Sequence, residues 1–307
     1  MVNFSSQLKE IRKKKGLLQK ELANKIGLSQ STIANYEKGD RFPSQNNLIK
    51  ISQYLDVSLD YLMGVKEENT TNEANNNPQS QLGDTAKPLK EKAQKYQQHL
   101  LNGEEKKATR LIIDMLTEDH ADKAQTIKNI YLNIFTPVLK KIGYLWETGE
   151  INVSQEHYCT AVTIKIMAKL HSFFPEITKQ DKSLVAVTVS EEMHNIGLRI
   201  VKDFFELDGW KTYFLGSYTP NKSIIDAVKR YNAGLVLISV TMPLHINSLK
   251  NTIDTIKNSK DCRNVKVLAG GQAFKYNNDL QDKLNIDGYT VNAIEAVEIG
   301  NKLVADK

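Results

Sequence analysis

The sequence predicts a multidomain protein with a small all-α head, an all-α four-helix bundle and a doubly wound α/β domain. Three observations predict it. The first 66 residues contain two short helical segments around a glycine, the middle of the chain has apolar residues at helical spacing, and the last part alternates short apolar runs with amphipathic stretches. A chain of 307 residues is also long enough for two or three hydrophobic cores.

Composition and cysteine usage exclude several classes of protein. With 40% hydrophobic and 25% charged residues, the chain has the composition of an ordinary globular protein. Its two cysteines, Cys159 and Cys262, share no ligand-type spacing with a histidine, which argues against a disulfide framework and a zinc site. The basic N-terminus lacks an apolar core, and no apolar run approaches membrane-spanning length, so we expect a cytoplasmic protein without a membrane partner.

Charge and polarity separate the head from the rest of the chain. Residues 1–65 carry ten Lys and Arg against six Asp and Glu, a net charge of +4, which points modestly to a polyanionic partner. Residues 67–86 hold almost no apolar side chains, so they are predicted to be a flexible linker. The predicted domains are the head 1–66, the linker 67–86, the bundle 87–180 and the α/β domain 181–307.

Hydrophobic periodicity predicts the architecture after the linker. From Pro88 to Phe174 apolar residues recur at helical spacing, which predicts about four helices with a kink at Pro137. After Asp181 five β-rich runs alternate with helical stretches, as in a parallel sheet that is covered on both faces. These runs are 183–189, 211–216, 234–240, 265–271 and 288–291.

The segment Gln19–Gly39 has the spacing of two helices that cross at a turn. Ala23 is small enough for a close crossing, Gly27 supplies a turn residue without a Cβ, and Ile26 with Ile33 can seal the core between the helices. This pattern resembles the Cro and phage-repressor class of helix-turn-helix, over about 60 residues. A generic helical bundle is the alternative.

The helix-turn-helix resemblance implies a double-stranded DNA operator as partner. On the exposed face of the recognition helix it implies base contacts from Gln30, Ser31, Thr32 and Asn35. It implies phosphate contacts from Gln19 and Lys38, with Arg12 and Arg41 as further candidates.

Three groups of candidate ligand-binding residues follow predicted strands. Glu192, His194 and Gly197 follow the first strand, Ser239 and Thr241 lie at the end of the third, and Gly270–Gly271 end the fourth. These strands are neighbours in a flavodoxin-like order, and doubly wound domains bind ligands at the carboxyl ends of such strands. His194 can offer an imidazole nitrogen to a metal, and Glu192 can hold the other ring nitrogen. Gly197 leaves room for a bulky group, Ser239 can hydrogen-bond a heterocycle, and the pair Gly270–Gly271 removes side chains from the path of such a group. A histidine that only satisfies local structure is the alternative for His194.

The spacing of these clusters resembles the cobalamin-binding domain of methionine synthase, corrinoid carriers and mutases. Between Gly197 and Ser239 lie 41 residues, and between Thr241 and Gly270 lie 28. The family pattern is Asp-x-His-x-x-Gly, then Ser-x-Leu, then Gly-Gly, and the resemblance covers residues 181–307.

Two residues depart from that pattern, because Glu192 replaces the aspartate and Thr241 replaces the leucine. The resemblance implies that His194 is the lower axial cobalt ligand and displaces the dimethylbenzimidazole tail of the cofactor into a pocket beside the strands. The implied cofactor-binding residues are Glu192, His194, Gly197, Ser239, Thr241, Gly270 and Gly271.

A second constellation lies at the junction of two predicted bundle helices, where Trp146 is followed after nine residues by Glu156 and His157. Asn152 or Ser154 is expected to cap the second helix. The spacing resembles the Trp-x9-Glu-His motif of the adenosylcobalamin-dependent photoreceptor repressors of the CarH type, and the phrases FFELDGW and GGQAF resemble that family too. The resemblance implies adenosylcobalamin as cofactor, with Trp146 and Glu156 bracketing the adenosyl group and His157 taking the cobalt after light has removed it.

Together the resemblances imply a DNA-binding transcription regulator, with repression favoured, whose oligomeric state and DNA affinity respond to light. The photoreceptor family carries a MerR-type winged head, whereas this chain has a Cro-type head on a flexible linker, so coupling through a dimer or tetramer is favoured. We expect no enzymatic activity. The alternatives are a cobalamin-abundance sensor without a light response, a corrinoid methyl carrier and a cofactor-free dimerisation module.

Overall fold

The chain divides into two compact units, of which the first contains the head and the second contains the bundle together with the α/β domain. The structure, a computed structural model, describes residues 4–43, 45–57, 59–62, 86–118, 122–176, 181–189, 192–274 and 280–305. Of the predicted linker 67–86, only Ala86 lies within the described residues, where it begins a helix.

Five helices build the described part of the head around one apolar core. They are α1 (Phe4–Lys14), α2 (Gln19–Ile26), α3 (Gln30–Lys38), α4 (Gln45–Leu55) and α5 (Leu59–Leu62). Gly27 ends α2 with a φ of 73°, in the left-handed region, and Ser29 caps α3 by accepting a hydrogen bond from the backbone N–H of Thr32. Ala23 and Ile33 are fully buried, so the predicted helix-turn-helix is confirmed.

A buried ion pair joins α1 to α3. Arg12 donates from Nε and Nη2 to the two Glu37 carboxylate oxygens at 2.5 and 3.0 Å, and Gln19 donates from Nε2 to Glu37 at 2.9 Å. Burial alone would raise the pKa of Glu37, but the hydrogen bonds from Arg12 and Gln19 and the Arg12 charge outweigh burial and lower that pKa. The interpretation of Arg12 as a phosphate contact is wrong, because its guanidinium is buried against Glu37 and the carbonyl of Leu17.

The described part of the bundle contains four helices, as predicted, one of which passes through a π-helical turn. The helical segments are α6 (Ala86–Leu101), α7 (Glu105–Glu118), α8 (Lys123–Ile130), α9 (Thr136–Glu147) and α10 (Val153–Leu170). The π-helical turn Tyr131–Phe135 joins α8 directly to α9. Pro137 follows this turn and cannot donate to it, and Thr136 Oγ1 donates to the carbonyl of Tyr131 at 2.8 Å. The irregularity predicted at Pro137 therefore takes the form of a wider helical turn.

Five parallel strands form the sheet of the α/β domain within the described residues. They are β1 (Ser183–Thr188), β2 (Lys211–Gly216), β3 (Leu235–Ser239), β4 (Lys266–Gly270) and β5 (Gly288–Thr290). Their order is β2-β1-β3-β4-β5, the predicted flavodoxin-like order, in which β1, β3 and β4 are neighbours. The helices of the domain are α11 (Ile196–Leu207), α12 (Asn221–Arg230), α13 (Ile246–Asn258), α14 (Leu280–Lys283) and α15 (Ala293–Ala305).

Apolar cores lie on both faces of this sheet, which explains the continuous apolar strands. Ala186 of β1 packs in the core shared with α11 and α15, and Val187 packs in the core shared with α12 and α13. The bundle packs on α11, because Ile200, Phe204 and Leu207 belong to the bundle core. Across the described ranges, no helix has both the length and the apolar character that crossing a bilayer requires.

We expect Glu37→Gln to destabilise the head by about 3–5 kcal/mol at neutral pH, because it leaves the buried Arg12 guanidinium without its carboxylate. Since folding lowers the pKa of Glu37 from its ordinary value of 4.5, its contribution is complete above that value and is lost as the pH falls through the lower folded value. Hydrogen exchange of the α2 and α3 amides in the full chain measures both effects. Glu10→Gln, which removes an exposed ion pair with Lys14, is the matched control, and equal exchange in the two variants at neutral pH would contradict the prediction.

Candidate functional site

The carboxyl edge of the sheet brings the predicted strand-end clusters into one row. Thr188 of β1 lies in register with Ser239 of β3, and Ser239 lies in register with Gly270 of β4. By strand alternation these residues lie on the face that α11 and α15 cover. Ser239 is 8% exposed and lies at the carboxyl edge of the sheet. Its hydroxyl can donate and accept hydrogen bonds, which suits a polar ligand placed against this edge.

Glu192 and His194 form a hydrogen-bonded pair in the loop after β1. Glu192 Oε1 accepts hydrogen bonds from Nδ1 and from the backbone N–H of His194, at 2.5 and 3.0 Å, and Oε2 accepts one from the backbone N–H of Thr241 at 2.8 Å. The carboxylate is 0% exposed, whereas the imidazole is 49% exposed. Because a carboxylate only accepts, Nδ1 carries the proton and Nε2 keeps its lone pair in the neutral ring.

Nearby carboxylates make the imidazole of His194 more basic. The hydrogen bond to Glu192 raises the pKa of His194 against the opposing effect of burial, and the charges of Glu192 and Glu156 raise it further. Glu156 belongs to the bundle, so its carboxylate acts on the same imidazole that the α/β domain presents. A ring with one nitrogen held by a carboxylate is the arrangement that orients metal-ligating histidines.

Thr241 enters this site through its backbone. Its N–H binds Glu192 Oε2, and its side chain is half-buried. The contact with Glu192 is therefore independent of whether position 241 carries threonine or the leucine of the family pattern.

The sequence interpretation missed Thr188, which holds the loop that carries Glu192. Its Oγ1 donates to the carbonyl of Glu192 at 2.9 Å and lies 3.1 Å from Oγ of Ser217, which follows β2. A polar residue that ends an otherwise apolar strand was the available signal, because such a residue reaches the edge where ligands bind.

The structure gives a different reason for glycine at positions 270 and 271 from the one inferred from the sequence, which was room for a bulky ligand group. A Cβ on Gly270 would lie 2.6 Å from the carbonyl oxygen of Thr290, and Gly271 has a φ of +105° with its Cβ position 2.1 Å from the carbonyl oxygen of Val240. Protein backbone, rather than a ligand, therefore excludes side chains here. At Gly197 a Cβ meets nothing within 4 Å, so open space lies beside the start of α11.

In the bundle, Glu156 and His157 lie in the first turns of α10, which Asn152 caps. Glu156 Oε2 binds Nδ1 of His157 at 2.6 Å, and Oε1 accepts a hydrogen bond from Thr160 at 2.9 Å. His157 is 74% exposed, and in the described part of the chain its Nε2 has no partner. Trp146 is half-buried near the end of α9, and no hydrogen bond or ring contact within the described residues joins it to Glu156 or His157.

The recognition helix α3 presents most of the residues that the DNA-binding resemblance implies. Its exposed side chains include Gln30, Ser31, Asn35 and Lys38, and Arg41 after the helix is also exposed.

Two hydroxyls and one amide of the implied DNA contacts also have structural partners. Ser31 and Thr32 each place their Oγ atoms 2.8 Å from the cap residue Ser29, and Thr32 is half-buried. Gln19, the first residue of α2, is half-buried and uses its Nε2 to hold Glu37.

Three family matches account for most of the chain. The helix-turn-helix family matches residues 8–62, and two families described as B12 binding domain match residues 92–171 and 182–298. The chain combines a helix-turn-helix head with B12-binding domains. This combination of matches supports a cobalamin-binding regulator that binds DNA.

The relatives include both corrinoid proteins and helix-turn-helix regulators. Over 173 residues, 54% of this chain and 78% of the relative, it is 27% identical to dimethylamine corrinoid protein 1 of Methanosarcina acetivorans. Over 60 residues, 20% of this chain and 52% of the relative, it is 48% identical to YqaE, an uncharacterized HTH-type transcriptional regulator of Bacillus subtilis. The monomethylamine corrinoid protein of Methanosarcina barkeri shares the fold, with a TM-score of 0.59 and 18% identity over 69% of this chain and 98% of that chain.

The B12-binding domains present residues that fit a cobalamin. The imidazole of His194 is half-exposed, Glu192 fixes its Nδ1, and within the described residues its Nε2 has no partner. Ser239 places a hydroxyl at the edge of the sheet, and Gly197 leaves space beside the loop. A single neutral imidazole is a suitable axial ligand for cobalt in a corrin ring.

We expect Gly271→Ala to destabilise the α/β domain by about 3 kcal/mol or more, because a Cβ there meets backbone in a conformation that favours glycine. Gly197→Ala, in ordinary helical backbone with open space around the Cβ, is expected to change stability by at most about 1 kcal/mol. Thermal unfolding of the two full-length variants, followed by circular dichroism, measures the difference. Similar midpoints would contradict the assigned role of Gly271.

Proposed function

We propose that the chain is a transcription regulator that binds DNA through its head and adenosylcobalamin through its B12-binding domains, and that light changes its assembly and DNA affinity. The observation that carries this proposal is the Glu192–His194 pair, which fixes one imidazole nitrogen and leaves the other free at the carboxyl edge of the sheet. The charge of Glu156, which belongs to the bundle, also raises the pKa of His194, as expected for a bundle that covers this side of the site.

Each residue of the site has a role in this proposal. His194, oriented by Glu192, would hold the cobalt of the cofactor, and Ser239 would hydrogen-bond its heterocyclic tail. Gly197 leaves room beside the loop, while Gly270 and Gly271 keep β4 close to its neighbours. The backbone of Thr241 holds Glu192 in place.

The upper side of the site comes from the bundle. When bound, adenosylcobalamin supplies a cobalt–carbon bond that visible light breaks. Trp146 and Glu156 are proposed to flank the adenosyl group. His157 is exposed, and among the described residues its Nε2 has no partner, so it would be available to bind the cobalt once the adenosyl group has been lost.

DNA binding is proposed to depend on assembly. Gln30, Ser31, Thr32 and Asn35 of α3 are proposed to contact bases, and Gln19 and Lys38 phosphates. A single small head binds weakly, whereas a dimer or tetramer presents several heads at a high effective concentration. A change of oligomeric state therefore changes DNA affinity without a rigid connection between head and bundle.

A second candidate is methyl-group carriage on a corrinoid. The similarity to a dimethylamine corrinoid protein over 173 residues favours it, but methyl-group carriage gives no role to the helix-turn-helix head. A third candidate, a cobalamin-abundance sensor, keeps the head and omits the response to light.

We expect the full chain reconstituted with adenosylcobalamin in the dark to show a corrin spectrum, and green light to change both that spectrum and the size-exclusion profile. His194→Ala is expected to lose the spectral signature of the imidazole ligand and to bind cobalamin at least tenfold more weakly, by the scale of lost metal-site residues. His99→Ala is the matched control, because His99 of the bundle forms a similar hydrogen-bonded pair with Glu104 and has no role in the proposed site. Bound corrin with no response to light would favour the abundance sensor, and the absence of bound corrin would overturn the proposal.

For the head, we expect Asn35→Ala to reduce discrimination between an operator selected from random duplexes and a mismatched site by about 1–3 kcal/mol. Lys38→Ala is expected to weaken binding to both duplexes alike and to lower the salt dependence by about one counterion. Asn24→Ala, at an exposed position of α2, is the control. Titrations at two salt concentrations separate these outcomes, and unchanged discrimination in Asn35→Ala would contradict its base contact.

A further inference from the structure

A buried carboxylate lies where the bundle packs on α11. Asp203 is 1% exposed, and its Oδ2 accepts a hydrogen bond from the phenol of Tyr131 at 2.5 Å. Its Oδ1 makes no regular hydrogen bond but lies 2.6 Å from Lys202 Nζ and 3.2 Å from Nε2 of His171, which follows α10. One side chain of α11 therefore contacts the bundle at two separate points, the π-helical turn and the end of α10.

The π-helical turn of the bundle presents the phenol to this carboxylate. Tyr131 is the first residue of the turn and is fully buried, and its ring stacks on Phe204 of α11 with centroids 6.4 Å apart. Burial would raise the pKa of Asp203, but His171 and Lys202 outweigh burial and lower it, so the carboxyl is ionised at neutral pH. Tyr131 therefore donates to a charged acceptor, which makes a stronger hydrogen bond than a neutral one.

The same cluster has the residue types of a metal site, but its geometry favours an ion-pair network. Ligand atoms of His171, Asp203 and Glu206 all lie within 4.8 Å of one another. Lys202 Nζ lies 2.6 Å from Asp203 and 2.7 Å from Glu206. The ammonium group thus stands between the two carboxylates, where a metal ion would have to bind.

Apolar contacts are non-directional. With apolar contacts alone, the bundle could therefore pack on α11 in several registers at similar free energy. A buried charged group that must meet its donor allows one register, because a shifted bundle would leave the carboxylate without the phenol. Asp203 lies seven residues after Ile196, the first residue of α11, or about 10 Å along the helix. His194 lies two residues before the start of that helix.

We propose that Asp203 is a positioning residue that fixes the register of the bundle on α11 and thereby couples the bundle to the His194 loop. Its role in sensing rests on the proposed function, whereas its role in domain docking does not. When the Tyr131–Asp203 bond forms, the bundle carboxylate Glu156 and the loop that carries His194 are held in one arrangement. When that bond is lost, the two domains open independently of each other.

Hydrogen exchange of the full chain without cofactor tests the docking role. Tyr131→Phe removes only the phenol oxygen, and we expect exchange to rise about tenfold in both α8 and α11, the scale of a hydrogen bond to a charged group. Tyr96→Phe is the matched control, because Tyr96 is also fully buried and its phenol binds Thr163 inside the bundle at 3.0 Å. Tyr96→Phe is expected to raise hydrogen exchange in α6 and α10 and to leave hydrogen exchange in α11 unchanged. Equal exchange of α11 in the two variants would overturn the inference.

Cofactor titration tests the coupling role separately. In the wild type, adenosylcobalamin is expected to protect both the 192–207 segment and the 127–147 segment from exchange. In Tyr131→Phe only the first segment is expected to remain protected, with the preference for adenosylcobalamin over hydroxocobalamin reduced about tenfold, and Tyr96→Phe is expected to behave as wild type. Protection of both segments in Tyr131→Phe would contradict the coupling. A wild type that binds neither cobalamin would refute the proposed function, and exchange without cofactor would then decide the docking role.

Discussion

The hydrogen bonds of the Glu192 carboxylate join the loop after β1 to the segment that follows β3. One oxygen binds the imidazole and backbone of His194, and the other binds the backbone of Thr241, beyond the end of β3. A fully buried carboxylate without partners is strongly unfavourable, so these two segments must be in place together. A glutamate with its extra methylene spans this distance, which makes its replacement of the usual aspartate compatible with the site.

Much of the fold and part of the site follow from local patterns in the sequence. The strands are continuous apolar runs because both faces of the sheet are covered, so their existence and type were readable, and their order then followed from the rules of doubly wound sheets. Gly27 and Ser29 mark the head turn with residues that only a turn and a cap require. The pairing of Glu192 with His194 was predictable because the two residues are separated by a single position.

Contacts between distant residues explain what the sequence did not reveal. From the sequence alone Arg12 is expected to be an exposed basic residue. Only the fold brings it into contact with Glu37, which lies 25 positions later. Asp203 lies 72 positions from Tyr131, and its burial depends on how the bundle docks. The π-helical turn has no local sequence signature beyond Pro137. Such features depend on tertiary packing, which hydrophobic periodicity does not encode.

The glycines at the carboxyl edge of the sheet carry different information about evolution. Gly270 and Gly271 are required by neighbouring backbone, so a descendant that had lost the cofactor would still need them to fold. Gly197 faces open space, and nothing in the protein itself forbids a side chain there. Among diverged members of such a lineage, the Gly-Gly pair would therefore record the architecture, whereas a glycine retained at position 197 would record continued use of a bulky ligand.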